Sequence, residues 1–498
     1  MTATMRKCGL MAAAFILAFA PVLLAPVPGF VDMPSHMARH HVLANIGHDA
    51  LLSHWFVVHW QWIANLGVDL PSVLLTPALG SERATVLVSV LLAPLMVVGM
   101  FALSRAVHGR VSATAYIALP FAMHQAWMWG FLNYCLGAAL ALLVAAWIYA
   151  KPRNAWGEQV MLGLFALAVW TAHMASWVIL LILAAGNELG GLRSARDVWP
   201  AVRRNWTLLF PLAPLLLWRS RATGPGAGFS YVDFLNTKLV VFASVLRGTD
   251  KWIDLALLGA VFAASVLAFA WAGGRRCEPR LLISGALLTL ATLAAPTTIL
   301  NAWGTDLRTA PLALAVLVLA IGPARRPDRE HRLCLIGMVL FLVRVGTVAR
   351  AWISHGHVLE ERLTVLDAVP RGAKVGYVWI APQCGFPWRL VPDEKLGSYA
   401  VVRRDAFVNT LFIVDNAVLM KIRDPGLAAR WHDGSQDVRP TCPNHQADRA
   451  LLTQKLLAMR GDHFDAIWVS GAAPAALPVV PGYRVARTVG DDTLLTAR

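Results

Sequence analysis

Apolar blocks of about 15–22 residues recur through the first 352 or so residues of this chain, close to the length an α-helix needs to cross a bilayer. A backbone buried in lipid must satisfy its own hydrogen bonds, so blocks of this kind become helices packed side by side. Of the 498 residues, 57% are hydrophobic and 15% charged, against roughly a quarter charged in a soluble domain. The sequence therefore reads as a polytopic α-helical membrane protein.

The formal net charge of +15 suggests a polyanion partner until the charges are placed. Most of the excess lies in short segments between apolar blocks: Arg105 and Arg110, Lys151 and Arg153, Arg193 to Arg204, Arg275 to Arg280, and Arg325 to Arg332. Basic residues beside spans fix orientation by staying on the cytoplasmic side. The charge is topological, and nucleic acid is excluded as a partner.

Block by block there are about eleven spans, near 9–27, 84–103, 112–124, 131–149, 159–172, 174–189, 206–218, 253–272, 281–296, 307–321 and 333–352. Under that count every strongly basic loop falls on the side of the N-terminus. The long loops 29–80 and 219–251 face outward. Ala18-Phe19-Ala20 has the small-x-small pattern of a cleaved leader, but Pro21 directly after it argues for an uncleaved first span.

The remaining segment, 353–498, mixes charges of both signs with prolines and has no span-length apolar block. Lys374 to Ile380 and Phe464 to Val469 read as buried strands, Ala447 to Met459 as an amphipathic helix, and Tyr483 to Leu495 as a closing hairpin. The expectation is a small α/β domain outside the membrane. Cys384 and Cys442 are its two cysteines, and an oxidising compartment would let them pair; two separate thiols are the alternative.

Polar residues gather at the outer ends of the spans. Asp32, His36, Arg39, His40 and His41 follow the first span, and His124 and Asn133 flank the turn after the third. His173 lies between the fifth and sixth, Asn301, Asp306 and Arg308 precede the tenth, and Arg344 lies in the eleventh. Ionisable groups at membrane depth are costly and tend to mark function. Asp32 reads either as a general base taking a proton from an acceptor hydroxyl or, with Pro34 two residues on, as the N-cap of a helix from Ser35. Asp32, His36 and His40 share one helix face, a spacing able to hold a divalent metal or to form the solvated side of an interfacial helix. No cofactor is called for. Arg308 and Arg344 carry the fixed fork of donors that suits a lipid phosphate, while snorkelling or an internal acid would account for them equally.

With its many spans, an acid in the first outer loop (Asp32) and an outer C-terminal domain, the chain resembles the GT-C class of membrane glycosyltransferases over about residues 1–352. The resemblance implies a sugar transferred from a polyprenyl phosphate to a glycan, lipid or protein acceptor of the cell envelope, on the periplasmic face of a bacterial inner membrane. It implies Asp32 as the base, in an inverting reaction, and Arg308, with Arg344, at the lipid phosphate. His36, Arg39, His40, Asn133, His173 and Asp306 would line the cleft. The transmembrane part would be 1–352 and the periplasmic α/β domain 353–498. Readings from other classes are a transporter or flippase for a lipid-linked substrate, and a non-catalytic envelope assembly protein.

Overall fold

A computed structural model describes residues 3–152, 155–219, 229–274, 276–299, 302–384, 387–411, 413, 417–431, 434–441 and 446–498. Arg153, Arg275, Asn301 and Cys442, all singled out above, lie outside the described residues. The chain is mostly helical and divides into two compact units. The first comprises Met1–Leu24, Trp62–Val68 and Ser89–Arg350; the second comprises Ala25–Gln61, Asp69–Val88 and Ala351–Arg498.

Among the described residues, five helical stretches are long and apolar enough to cross a membrane: Ser81–His108, Leu132–Ala150, Met174–Gly191, Lys251–Trp271 and Pro327–Ala368. Cys8–Leu17, Phe234–Ala243 and Pro279–Ala294 are shorter apolar helices. Two expected spans are broken. The block at 112–124 divides into Ala113–Ile117 and a 3-10 turn Leu119–Met123. The block at 206–218 divides into Trp206–Leu209 and Leu212–Arg219. Pro120 and Pro211 explain both breaks, because a proline ring clashes with the preceding turn and brings no amide hydrogen to continue it.

Within the first unit, small residues set how closely the helices approach. A Cβ on Gly137 would come within 2.7 Å of Ser176 Oγ, and one on Gly99 within 2.9 Å of Leu142 Cβ. With hydrocarbon on the outside there is little hydrophobic drive between helices, so close van der Waals contact of this kind holds them together.

The second unit is built on a six-stranded sheet. Tyr483–Val489 and Asp492–Ala497 form an antiparallel hairpin, which continues antiparallel onto Ala466–Ser470. Ala466–Ser470 runs parallel to Lys374–Ile380, which pairs in turn with Phe407–Val408 and Asp437–Val438. The central strands are fully buried over Val375–Val378 and Ala466–Ser470, as their unbroken apolar runs require when both faces are covered. Helix Arg449–Gly461 covers one face, where Gly376 leaves room for Met459 Sδ.

Much of the segment expected as an outer loop belongs to this second unit. Strand Phe56–Val58 pairs antiparallel with Met420–Ile422. Helix Met33–Asn45 is anchored through Ser35 to Ser398 and through His41 to Asp405. Only Trp62–Val68 of the stretch 29–80 joins the first unit.

Candidate functional site

Asp32 occupies the N-cap position of helix Met33–Asn45, with Pro34 in the first turn, where a missing amide hydrogen costs nothing. Its side chain makes no capping hydrogen bond. Helical capping is therefore not the task of this half-buried carboxylate. His36 and His40 follow one and two turns later, with ring centroids 6.0 Å apart.

Between those histidines the helix turns Arg39 inward. Its Nη2 and Nε donate to Oδ1 and Oδ2 of Asp69 at 2.8 and 3.1 Å, and Nη2 also lies 2.7 Å from His36 Nδ1. A guanidinium can only donate, so His36 accepts on Nδ1 and carries its proton on Nε2. His40 reaches Asp69 Oδ1 with Nε2 at 2.9 Å and Thr85 Oγ1 with Nδ1 at 2.8 Å. Burial pushes the His40 pKa down, outweighing the pull of the Asp69 carboxylate. Burial by itself would raise the Asp69 carboxyl; the Arg39 charge and the His40 hydrogen bond hold it far below the usual range. The cluster is thus a near-neutral set of one guanidinium, one carboxylate and two imidazoles, closed off from water.

Asp69 belongs to a helix with inverted polarity. Along Asp69–Leu79 the polar Asp69, Ser72 and Thr76 are 2%, 0% and 5% exposed, whereas Leu70 and Leu74 are 39% and 78% exposed. That pattern (polar at i, i+3, i+7 within an apolar helix) was visible in the sequence and is the signal that could have marked Asp69.

The metal reading changes its ligands. His36, His40 and Asp69, not Asp32, bring ligand atoms within 4.8 Å of one another. Arg39 already donates to two of these three residues, so a cation would have to displace a buried guanidinium. The donor set fits an ion pair better than a metal.

In the first unit a second set converges where three helices begin. His173 caps helix Met174–Gly191 by accepting from the Ala175 amide on Nδ1 at 3.1 Å, and His124 accepts from the Trp127 amide at 3.2 Å. Both imidazoles are thereby fixed with their remaining proton on Nε2. The Tyr134 ring stands between them, edge-on, at 6.1 Å from His124 and 5.7 Å from His173. The Tyr134 hydroxyl donates to the Arg308 carbonyl.

Arg308 lies in the first turn of helix Thr305–Leu319, its guanidinium 4.2 Å above the Phe131 ring and its Nη1 bonded to the Trp303 carbonyl at 2.7 Å. The beginnings of helices Leu132–Ala150, Met174–Gly191 and Thr305–Leu319 thus share one neighbourhood with a cation. Helix N-termini carry partial positive charge and unpaired amides, so this end of the unit favours an anion.

Other expected site residues have structural partners. Asp306 forms a buried ion pair with Lys238 at 2.7 Å, a lysine that the sequence reading passed over. Asn133 accepts from the Val68 amide at 2.6 Å and donates to the Asn65 carbonyl at 2.7 Å, fixing segment Trp62–Val68 to the start of its helix. Arg344 is fully buried, paired with Asp254 at 2.9 Å and donating from Nε and Nη2 to the Met123 carbonyl at 3.0 and 2.6 Å. It braces the His124 turn, which meets the alternative of an internal acid. Cys384 is disulfide-bonded, whereas Cys8, Cys135, Cys277 and Cys334 are not in disulfides.

No protein-family model and no curated protein matches the sequence. The fold does match solved structures. ArnT from Cupriavidus metallidurans bound to undecaprenyl phosphate has 10% sequence identity and a TM-score of 0.52, over 99% of this chain and 98% of that one. The same protein in its apo state gives a TM-score of 0.53 at the same identity and coverage. The apo oligosaccharyltransferase of Archaeoglobus fulgidus, also 10% identical, covers 93% of this chain and 69% of its own, with a TM-score of 0.47. Across nearly its whole length, the chain has the fold of ArnT.

Proposed function

We propose that this protein is a membrane glycosyltransferase that moves a sugar from a polyprenyl phosphate to an acceptor of the bacterial cell envelope. The observation that carries the reading is the fold shared with ArnT, whose crystal structure holds undecaprenyl phosphate. The convergence of Arg308 with three helix N-termini supports an anionic donor. In the reaction, the acceptor oxygen attacks the anomeric carbon of the sugar and its proton passes to Asp32. The bond from that carbon to the phosphate oxygen breaks, and the polyprenyl phosphate leaves with the electron pair and the configuration inverted. Arg308 holds the departing phosphate. Asp32 suits the base because its carboxylate is half-buried at the start of helix Met33–Asn45.

The orientation follows from the basic loops: N-terminus in the cytoplasm, about eleven apolar segments in the inner membrane, and residues 353–498 in the periplasm. The bridge at Cys384 fits that compartment, and Cys442 is its proposed partner.

The test is mass spectrometry of envelope glycans and lipids from a deletion strain complemented with wild type or Asp32→Asn, both confirmed in the membrane. Restoration of a missing sugar by wild type alone is the expected result. Equal restoration by both removes Asp32 from the chemistry, and an unchanged glycan profile in the deletion strain removes the transfer reading.

A further inference from the structure

A cavity of about 440 Å³ opens in the first unit at the opposite ends of two spans from the cluster around Arg308. Helices Leu132–Ala150 and Met174–Gly191 end there, and helix Pro279–Ala294 begins. Its lining includes four cations, Lys151, Arg193, Arg204 and Arg280, against two carboxylates, Glu188 and Asp197. Glu158 and Glu278 stand just behind the lining, paired with Lys151 and Arg280 at 2.7 Å each, so the site presents held cationic groups rather than a bare positive excess.

The floor is built without help from a ligand. Gly186 and Gly190 stand one turn apart on Met174–Gly191 and let the neighbouring helix approach to backbone contact. A Cβ at Gly190 would lie 2.6 Å from Arg280 Cα, and one at Gly186 would lie 2.0 Å from Ser284 Oγ. Tyr149 ties the same three helices together, its hydroxyl 2.6 Å from Ser284 Oγ and 3.0 Å from the Leu183 carbonyl. Arg280 is held over the Tyr149 ring at 5.6 Å, with Nη1 donating to the Tyr149 carbonyl and Nε to Glu278. Arg204 gives one of its five N–H donors to Glu188 at 2.6 Å. Both guanidiniums are therefore oriented while keeping donors for an anion. The amide oxygen of Asn187, also in the lining, is buried with no hydrogen-bond partner among the described residues.

The surroundings identify the kind of anion. Trp156, Trp199 and Trp206 are 79%, 73% and 51% exposed on the helices and turn that flank the cavity. Val198 and Val202 are exposed beside Trp199 on helix Val198–Asn205, whose Pro200 lines the cavity. Exposed tryptophans with aliphatic neighbours at the ends of apolar spans mark the headgroup level of a bilayer. Basic pockets between span ends at that level suit lipid phosphates.

We propose that this cavity binds the phosphate of an anionic phospholipid, in the leaflet that faces the basic loops, with Arg204 and Arg280 as the oriented donors. Lys151 and Arg193 stand at the rim. The site is separate from the proposed transfer chemistry and does not rest on it.

Native mass spectrometry of the purified full-length protein tests this, with phosphatidylglycerol, phosphatidylcholine of equal chain length, and inorganic phosphate as separate probes. Wild type is expected to retain one equivalent of phosphatidylglycerol in preference to phosphatidylcholine, with inorganic phosphate failing to compete. The exposed pair Lys151→Gln/Arg193→Gln, which leaves the floor intact, is expected to weaken retention about thirtyfold, since each surface cation near a lipid contributes roughly 1 kcal/mol and about 1.4 kcal/mol is tenfold. Arg280→Gln is expected to abolish it. Equal retention of the two lipids, or wild-type retention by the rim pair, overturns the proposal. Competition by inorganic phosphate at the same affinity overturns the lipid source and leaves a soluble-anion site.

Discussion

Arg39 grips both carboxylate oxygens of Asp69, at 2.8 and 3.1 Å, across thirty residues of sequence and out of contact with water. The helix that bears Asp32 at its N-terminus is thereby fixed to the polar face of Asp69–Leu79. Removing one partner leaves the other charged and buried, which costs about 3–5 kcal/mol. Asp69→Asn should lower stability by that order, and Arg39→Met/Asp69→Leu should recover much of the loss because no charge is left stranded. Thermal unfolding of the purified variants distinguishes the two cases; equal destabilisation by both would mean that the pair adds more than charge balance.

The two arginines expected at a lipid phosphate should separate in experiment. Arg308→Gln is expected to weaken donor binding at least tenfold with little change in unfolding temperature. Arg344→Gln takes the cation from a buried ion pair with Asp254 and is expected to destabilise by about 3–5 kcal/mol. Donor titration read alongside thermal unfolding checks both, and a donor-specific defect in a fully stable Arg344→Gln protein would contradict the bracing role.

Acid should loosen the second unit through Asp393. Burial alone would raise its carboxyl, but the hydrogen bond from His355 and the charge of Arg362 bring it down from the ordinary 3.8 to about 2. A group depressed in the folded state contributes its stability above the unfolded value. That contribution, of order 2 kcal/mol, is present above about pH 4 and lost as the pH falls through about 2. Unfolding of the full-length protein followed between pH 5 and 2 should show this slope, and Asp393→Asn should flatten it.

Gly186 is expected to tolerate no side chain. Its Cβ would meet Ser284 Oγ at 2.0 Å and Ser284 Cα at 2.6 Å, so Gly186→Ala must push two helices apart. Overpacking of this kind costs about 1–3 kcal/mol. Gly9, with open space around it, should accept alanine without loss, and comparing the two unfolding temperatures is the check.

Helix Leu132–Ala150 and strand Lys374–Ile380 lie within a residue or so of their expected limits, because apolar length and short runs rich in β-branched and aromatic residues are local properties. The blocks at 112–124 and 206–218 looked like spans by hydropathy, and the prolines that break them were in plain view. Hydropathy weighs what a residue is made of and ignores whether its backbone can continue a helix.

Partners across long sequence separations were another matter. Asp69 and Lys238 went unassigned although their partners Arg39 and Asp306 were singled out, since nothing local tells a buried cation which carboxylate will meet it. The sequence by itself determined the membrane class, the positions of the long apolar helices and of the principal strands of the sheet, and the histidines, arginines and acids among which a site would be sought. Only the tertiary structure decided that Arg344 faces Asp254, that Asn133 pins Trp62–Val68, and that Arg308 sits with three helix N-termini. The reason is physical: element formation follows from periodicity within a few turns, whereas the pairing of buried charges depends on which surfaces the packed helices bring together.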